Sequence, residues 1–231
     1  MITALAAPGE LRAGAEIVLA EAEAHHLRVR RAAGGEEVRL LDGRGGRAVG
    51  TLTATGARTA VRIGAVEQVA VPPGLRLVVG AGDRERFGWL AEKCAELGVT
   101  ELVPLAAARS ASVAGRVQPN HLDRLRRQAR EAIKQSGAAW APVVGDAVTV
   151  ADLCAAAPGG IRWLADAGGV APPVVSGEAV TVVVGPEGGL TSEEVSALTG
   201  SGYHPVRLGL HTLRFETAAV VAAALARVPR A

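Results

Sequence analysis

The sequence predicts an α/β protein in which a small β-rich module precedes a domain built on a mostly parallel sheet. Three observations carry the prediction. Up to about residue 68, short segments of alternating polarity are separated by turn residues. Beyond Val71-Pro72-Pro73-Gly74, continuous apolar runs such as Leu75–Val79 and Val180–Val184 take over, as expected of strands covered on both faces. Between those runs, apolar residues recur at helical spacing.

In the first module, strands are expected at Glu16–Leu19, Glu37–Leu41, Arg47–Thr53 and Ala60–Val66, with turns at Gly34-Gly35 and Asp42-Gly43. A short helix is expected at Glu21–Val29. The proline pair continues neither a helix nor a central strand, so it marks a boundary between domains at residues 1–70 and 74–231. After strand Leu75–Val79, the segment Phe87–Leu97 places Phe87, Leu90, Ala91, Cys94 and Leu97 on one helical face, with Gly98 as its stop. A strand at Glu101–Leu105 and a long helix at Asn120–Ser136 follow. Strands Ile161–Ala165, Val180–Val184 and Pro205–Leu208 then alternate with helices Thr191–Thr199 and Phe215–Ala226.

Composition sets bounds. Hydrophobic residues make up 49% of the 231 positions, yet only two Phe, three Trp and one Tyr are present, so the core is aliphatic. The net charge of +2 is modest, and any polyanion site must come from local clustering. Cys94 and Cys154 fit no metal or redox spacing, and no metal is expected. Two unclustered thiols without a signal peptide point to the cytoplasm. No apolar run is long enough to span a bilayer.

The stretch Val180–Val195, VTVVVGPEGGLTSEEV, is an apolar strand, a glycine turn and a helix start. Thr191 with Glu194 forms a capping box. The turn lacks the Gly-Lys-Ser/Thr of a Walker loop and the spacing of a dinucleotide fingerprint. The nearest fingerprint candidate, Gly80-Ala81-Gly82-Asp83-Arg84-Glu85, has no third glycine, which argues against a nicotinamide-dependent oxidoreductase. Glu187 would repel phosphate, so a neutral or cationic nucleoside suits the turn better. A plain strand-to-helix turn is the commoner reading of Gly-Gly after a strand. Arg214 and Glu216 lie at a second strand-to-helix joint, where they read equally well as a helix-start ion pair or as site residues.

GPEGGLTSEEV followed by LGLHTLRFETAAVVAAALA resembles the C-terminal half of the bacterial 16S rRNA (uracil-1498-N3)-methyltransferases, members of the SPOUT, or trefoil-knotted, class. Further segments resemble the same family: His25-His26-Leu27-Arg28-Val29-Arg30-Arg31, Glu92–Val99 and Glu131–Gly137. The resemblance spans essentially the whole chain. It implies a PUA-like N-terminal β-barrel and a knotted α/β domain, although knots are otherwise nearly absent from proteins. It also implies S-adenosyl-L-methionine as cofactor, held by Leu164, Gly185, Pro186, Glu187, Gly188, Gly189, Leu208, Gly209, Leu213, Arg214 and Thr217. The implied reaction is methylation of N3 of a uridine in 16S rRNA of the small ribosomal subunit, with Arg214 and Glu216 catalytic, by a homodimer. Alternatives are a related knotted enzyme acting on another rRNA or tRNA nucleotide, and an inactive RNA-binding assembly factor.

RNA contact is expected from His25, His26, Arg28, Arg30 and Arg31, and from Arg126, Arg127, Arg130, Lys134 and Gln135 on the long helix. On pattern alone the helical cations read as a solvated face. The adjacent histidines do not form a metal site. Cys94, on the apolar face of its helix, reads as a small hydrophobe. Two positions depart from the family pattern. Ala138-Ala139-Trp140 stands where an arginine is usual, with Trp140 offering a stacking surface instead. Gly209-Leu210-His211 stands where Gly-Pro is usual.

Overall fold

The structure is a computed structural model that describes residues 1–56, 58–80, 82–110, 119–156 and 158–227. It divides into two units. The first comprises Met1–Val71 and Arg130–Ala141, the second Pro72–Ala129 and Pro142–Ala231.

The first unit is a five-stranded sheet in the order β1-β3-β4-β5-β2, with β1 at Ile2–Leu5, β2 at Glu16–Val18, β3 at Glu37–Leu41, β4 at Gly46–Ala54 and β5 at Ala60–Gln68. The β1–β3 pairing is parallel and the others are antiparallel. β1 escaped the sequence reading because four residues carry too little alternation. Along β4, Gly46, Ala48, Gly50 and Leu52 face inward and alternate with less buried neighbours. Both edge strands feed one core of Ala4, Ile17, Val38, Leu40, Leu52, Val61 and Ile63, onto which helix α1 (Glu21–Val29) packs Leu27.

A buried carboxylate ties this unit together. Glu23 Oε2 accepts the Leu5 amide at 3.1 Å, and Oε1 accepts Lys134 Nζ at 3.0 Å. Burial disfavours the charged ammonium of Lys134, but its hydrogen bonds to Glu131 and Glu23 outweigh this and raise its pKa. Removing one partner of a buried pair strands the other. Glu23→Ala is therefore expected to destabilise the unit by about 3 kcal/mol, read as a lower denaturation midpoint with unchanged slope.

Trp140, expected to offer a stacking surface, is half-buried and fixed at its ring nitrogen. Its Nε1 donates to the carbonyls of Val69 and Ala70, each at 3.1 Å. The indole lies so close over Gly45 that a Cβ there would sit 2.7 Å from the ring, and Gly45 has φ of +94°.

The second unit holds a sheet ordered β12-β10-β11-β6-β7-β8, with β9 also on β7, and every pairing is parallel. The strands are β6 Leu75–Gly80, β7 Glu101–Ala106, β8 Val143–Val144, β9 Val148–Thr149, β10 Ile161–Val170, β11 Val180–Val184 and β12 His204–Val206. The unbroken apolar runs are explained by a core on each face. Leu75, Leu77, Val79, Val180, Val182 and Val184 pack on one side, Val78 and Val183 on the other. Helices α2 (Arg84–Glu96), α3 (Pro119–Ser136) and α6 (Phe215–Arg227) contribute to the first core. Helices α4 (Val150–Ala156) and α5 (Ser192–Gly200) contribute to the second. The small residues Ala218, Ala219, Ala222 and Ala223 let α6 lie against β6, β11 and α2.

β10 runs on to Val170 because Gly169 lets the backbone pass Pro205, where a Cβ would come within 2.5 Å; the register shifts between Ala165 and Val170. The chain leaves β11, crosses to β12 beyond β10, and returns in α6 to β6. Gly80 and Gly82 let this late segment press against the early one, since Cβ atoms there would lie 2.3 Å from Pro186 N and 2.6 Å from the Phe215 ring. Such interleaving is what the expected SPOUT-type fold demands.

Candidate functional site

The irregular middle of β10 and the loops that follow β11 and β12 converge on a cavity of about 570 Å³. Parallel sheets present ligand sites at the carboxyl ends of their strands, where strand order departs from sequence order. Leu164, Gly185, Pro186, Glu187, Gly189, Leu208, Gly209, Leu213 and Arg214, all expected from sequence, line it. Ala165, Asp166, Val184, Leu190, Arg207, Thr212, Phe215 and Ala218 line it as well; Leu190, Thr212, Phe215 and Ala218 lie within the family motifs, but the motifs alone do not show which of their residues turn inward.

The glycine turn is shaped by its own residues. The Gly189 amide donates to the Pro186 carbonyl at 2.8 Å, and Gly189 adopts φ of +70°, which a side chain would resist. Thr191 Oγ1 then accepts the Glu194 amide at 3.2 Å while Glu194 Oε2 accepts the Thr191 amide at 2.8 Å, completing the capping box. The second oxygen of Glu194 accepts the Ala108 amide at 2.7 Å. Gly188 faces outward, its carbonyl accepting Arg109 Nη1 at 3.0 Å. Arg109, 79 residues away in sequence, gave no signal.

Charge gathers at the mouth. Glu187 Oε1 accepts Arg86 Nη1 at 2.8 Å and lies 4.0 Å from Arg214 Nη1. Arg86 Nε stands 3.8 Å from Glu216 Oε1. Glu216 is buried, and its Oε2 has no hydrogen-bond partner. Glu216 and Thr217 do not line the main cavity; they face a hollow of about 360 Å³ with Glu85, Arg86 and Trp89. Asp166 Oδ1 accepts the Gly168 amide at 2.7 Å, which fixes this carboxylate among the lining residues. With apolar walls, the carboxylates of Asp166 and Glu187 and the guanidiniums of Arg207 and Arg214, the cavity suits a nucleoside that carries both charge signs.

The expected basic sector of α3 is not one open stripe. Arg126 binds the Val144 carbonyl, Asp123 and Asp146 at 3.1, 3.0 and 2.9 Å. Arg130 donates to the Ala6 carbonyl at 2.7 Å, and Lys134 is paired with Glu23 and Glu131. Arg127 and Gln135 are exposed. At the end of α1, His25, Arg28, Arg30 and Arg31 are exposed and His26 is half-buried, with Arg28 paired to Glu21. Cys94 is fully buried, and burial pushes its thiol far above the usual range, so it is no nucleophile. No cluster of three or more His, Cys, Asp or Glu that would hold a metal occurs among the described residues, nor does a helix long and apolar enough to cross a membrane.

The RNA methyltransferase domain family matches residues 71–227, and the RNA methyltransferase PUA domain matches residues 19–63. The ribosomal RNA small subunit methyltransferase E of Synechocystis sp. is 30% identical over 221 residues, which cover 91% of this chain and 72% of that protein. Its namesake in Mycobacterium tuberculosis is 31% identical over 218 residues, 86% of this chain and 80% of that protein. A crystal structure of the Neisseria gonorrhoeae ribosomal RNA small subunit methyltransferase E bound to S-adenosyl methionine superposes with TM-score 0.85 at 25% identity, covering 97% of this chain and 95% of that one. A Legionella pneumophila methyltransferase in complex with the same cofactor superposes with TM-score 0.83, also at 25% identity, covering 96% and 95%. The chain therefore belongs to the RNA methyltransferase family that includes the ribosomal RNA small subunit methyltransferases E.

Proposed function

We propose that this chain transfers a methyl group from S-adenosylmethionine to N3 of a uridine in 16S rRNA of the small ribosomal subunit. The observation that carries the reading is the cavity formed by β10 and the loops after β11 and β12, with Arg214 in its wall and the buried Glu216 carboxylate two residues on. The relatives' cofactor and substrate class support it. The residues present fit the cofactor: Leu164, Leu190, Leu208 and Leu213 offer apolar walls, and Asp166 and Glu187 offer negative charge to a cation. When bound, S-adenosylmethionine supplies an electrophilic methyl group on its sulfonium.

The uracil N3 carries a proton between two carbonyls. Transfer makes an N–C bond, breaks a C–S bond and releases that proton. Arg214 stabilises the negative charge that builds on the ring carbonyls, and the Glu216 carboxylate, in the hollow beside the cavity, receives the proton. The exposed cations at the end of α1, together with Arg127, contact RNA phosphates, so affinity falls with added salt. The site of action is the cytoplasm.

The working form is a homodimer. Val221 and Ala224 of α6 are only half-buried, and Trp89 on the neighbouring α2 is 43% exposed, an apolar surface a second copy would cover. Sedimentation equilibrium is expected to give a dimer for the native chain and a monomer for Trp89→Asp. A native monomer removes this part of the reading.

The reaction is tested by incubating the protein with methyl-labelled S-adenosylmethionine and small subunits from a strain lacking the modification, followed by nucleoside analysis. Label in 3-methyluridine is the expected result. Label in another nucleoside overturns the target, and absence of cofactor binding leaves an RNA-binding protein.

A further inference from the structure

We propose that Arg86 is a positioning residue of this site: its guanidinium holds the Glu187 and Glu216 carboxylates and thereby sets where the substrate proton is received. This rests on the N3-uridine reading and adds to it a residue that lies outside the motifs read from the sequence.

The placement of Arg86 is over-determined. Asp83 caps α2, its Oδ1 accepting the amides of Glu85 and Arg86 at 3.0 and 3.1 Å. The next residue, Phe87, stacks on Phe215 with ring centroids 6.4 Å apart and planes 27° off parallel. Gly82 lets the chain close on the same Phe215 ring. The starts of α2 and α6 are thus fastened by a pair of rings, and Arg86 and Glu216, each adjacent in sequence to one of them, are brought face to face.

The electrostatics give Arg86 a task. A carboxylate buried like that of Glu216 is costly without a counter-charge. Among the described residues, the cation in ion-pair range of it is Arg86. That contact engages Oε1, while Oε2 is buried and without a hydrogen-bond partner, so Arg86 is the cation that holds this carboxylate in place. Arg86 also binds Glu187, so one side chain connects the cofactor loop to the proton acceptor. An ordinary surface ion pair with Glu187 would contribute under about 1 kcal/mol and would leave turnover untouched. The two roles therefore separate in kinetics.

The experiment compares the full-length native protein with Arg86→Gln and Arg86→Lys on small subunits, measuring kcat, subunit KM and the labelled nucleoside, with cofactor Kd by calorimetry. Arg86→Gln is expected to lower kcat between about 10- and 100-fold, with cofactor Kd within about 3-fold, as a misplaced catalytic group does. Arg86→Lys is expected to recover part of the loss, since an ammonium keeps the charge but not the fork. An unchanged kcat overturns the proposal. So does a loss of cofactor affinity that matches the loss of turnover and that lysine fails to relieve. If the native protein labels a nucleoside other than 3-methyluridine, the uridine reading falls, and the same kcat ratios still decide the role of Arg86. No methylation by the native protein overturns both.

Discussion

Arg214→Ala is expected to lower turnover about 10²- to 10³-fold while leaving cofactor affinity within about 3-fold. The prediction rests on where Arg214 is and on how little else it does. Its side chain is 63% exposed, and its ion pair, to Glu187, is at the 4.0 Å limit. An exposed contact of that length adds almost nothing to stability, so the variant should fold and melt like the native protein. What is lost is a cation in the wall of the cavity, available to carbonyl oxygens that gain charge only as the proton leaves and the methyl arrives. The loss should therefore appear in single-turnover rates on small subunits and not in calorimetric titration of the cofactor. Arg214→Lys should recover only part of the rate, because an ammonium offers one charge without two parallel donors. Unchanged turnover in Arg214→Ala would move the stabilising role to another donor of the cavity, with Arg207 first in line.

The parts of this molecule that are legible in sequence are those that repeat or that cap. Leu75–Val79 and Val180–Val184 are legible because a strand covered on both faces has nowhere to put a polar residue, and the paired cores confirm that logic. The turn at Gly185–Gly189 and the capping box at Thr191 are legible because local hydrogen bonding alone selects those residues. β8 and β9 are two residues each, too short to show a period. The extension of β10 to Val170 depends on Gly169 sliding past Pro205, a contact that alternation does not encode. The helical wheel of α3 put Arg126, Arg130 and Lys134 on one sector, yet could not show that each meets a carbonyl or carboxylate within its own unit.

The same limit applies to the candidate site. Its lining at Gly185, Leu208 and Leu213 followed from family motifs, whereas Arg86 meets Glu187 across 101 residues of sequence. Arg109 meets Gly188 across 79. Long-range pairs of this kind are specified by the fold, and a single sequence carries no periodic trace of them. Gly188 and Thr217 show the converse: both fall inside legible motifs, and both face away from the cavity those motifs build.

Gly80→Ala is expected to have a large effect on both stability and the cofactor site. A Cβ at Gly80 would lie 2.3 Å from Pro186 N, 2.5 Å from Pro186 Cα and 2.8 Å from the Gly185 carbonyl carbon. All three are backbone atoms of the turn that lines the cavity, so no side chain can swing aside to make room. The Gly80 backbone lies outside the left-handed region, so the added cost is steric and not conformational. Either β6 moves within a sheet where β11 and β7 hold it on both sides, or the turn moves. The turn is the softer element, and its displacement carries Gly185, Pro186 and Glu187 with it. Overpacking of this kind costs about 1–3 kcal/mol, which for a domain of this size corresponds to a melting temperature lower by roughly 2–12 °C. Because the distortion falls on the cavity wall, cofactor affinity should drop about 10- to 100-fold even at temperatures where the variant is fully folded. Gly185→Ala provides the contrast: its Cβ would meet the Leu190 side chain at 3.2 Å, a contact a rotamer shift can relieve, and its effect on both readouts should be several-fold smaller. Calorimetric melting and cofactor titration of the two variants together decide whether β6 and the glycine turn are coupled. Equal, small effects at both positions would mean that the turn is free of the strand beneath it.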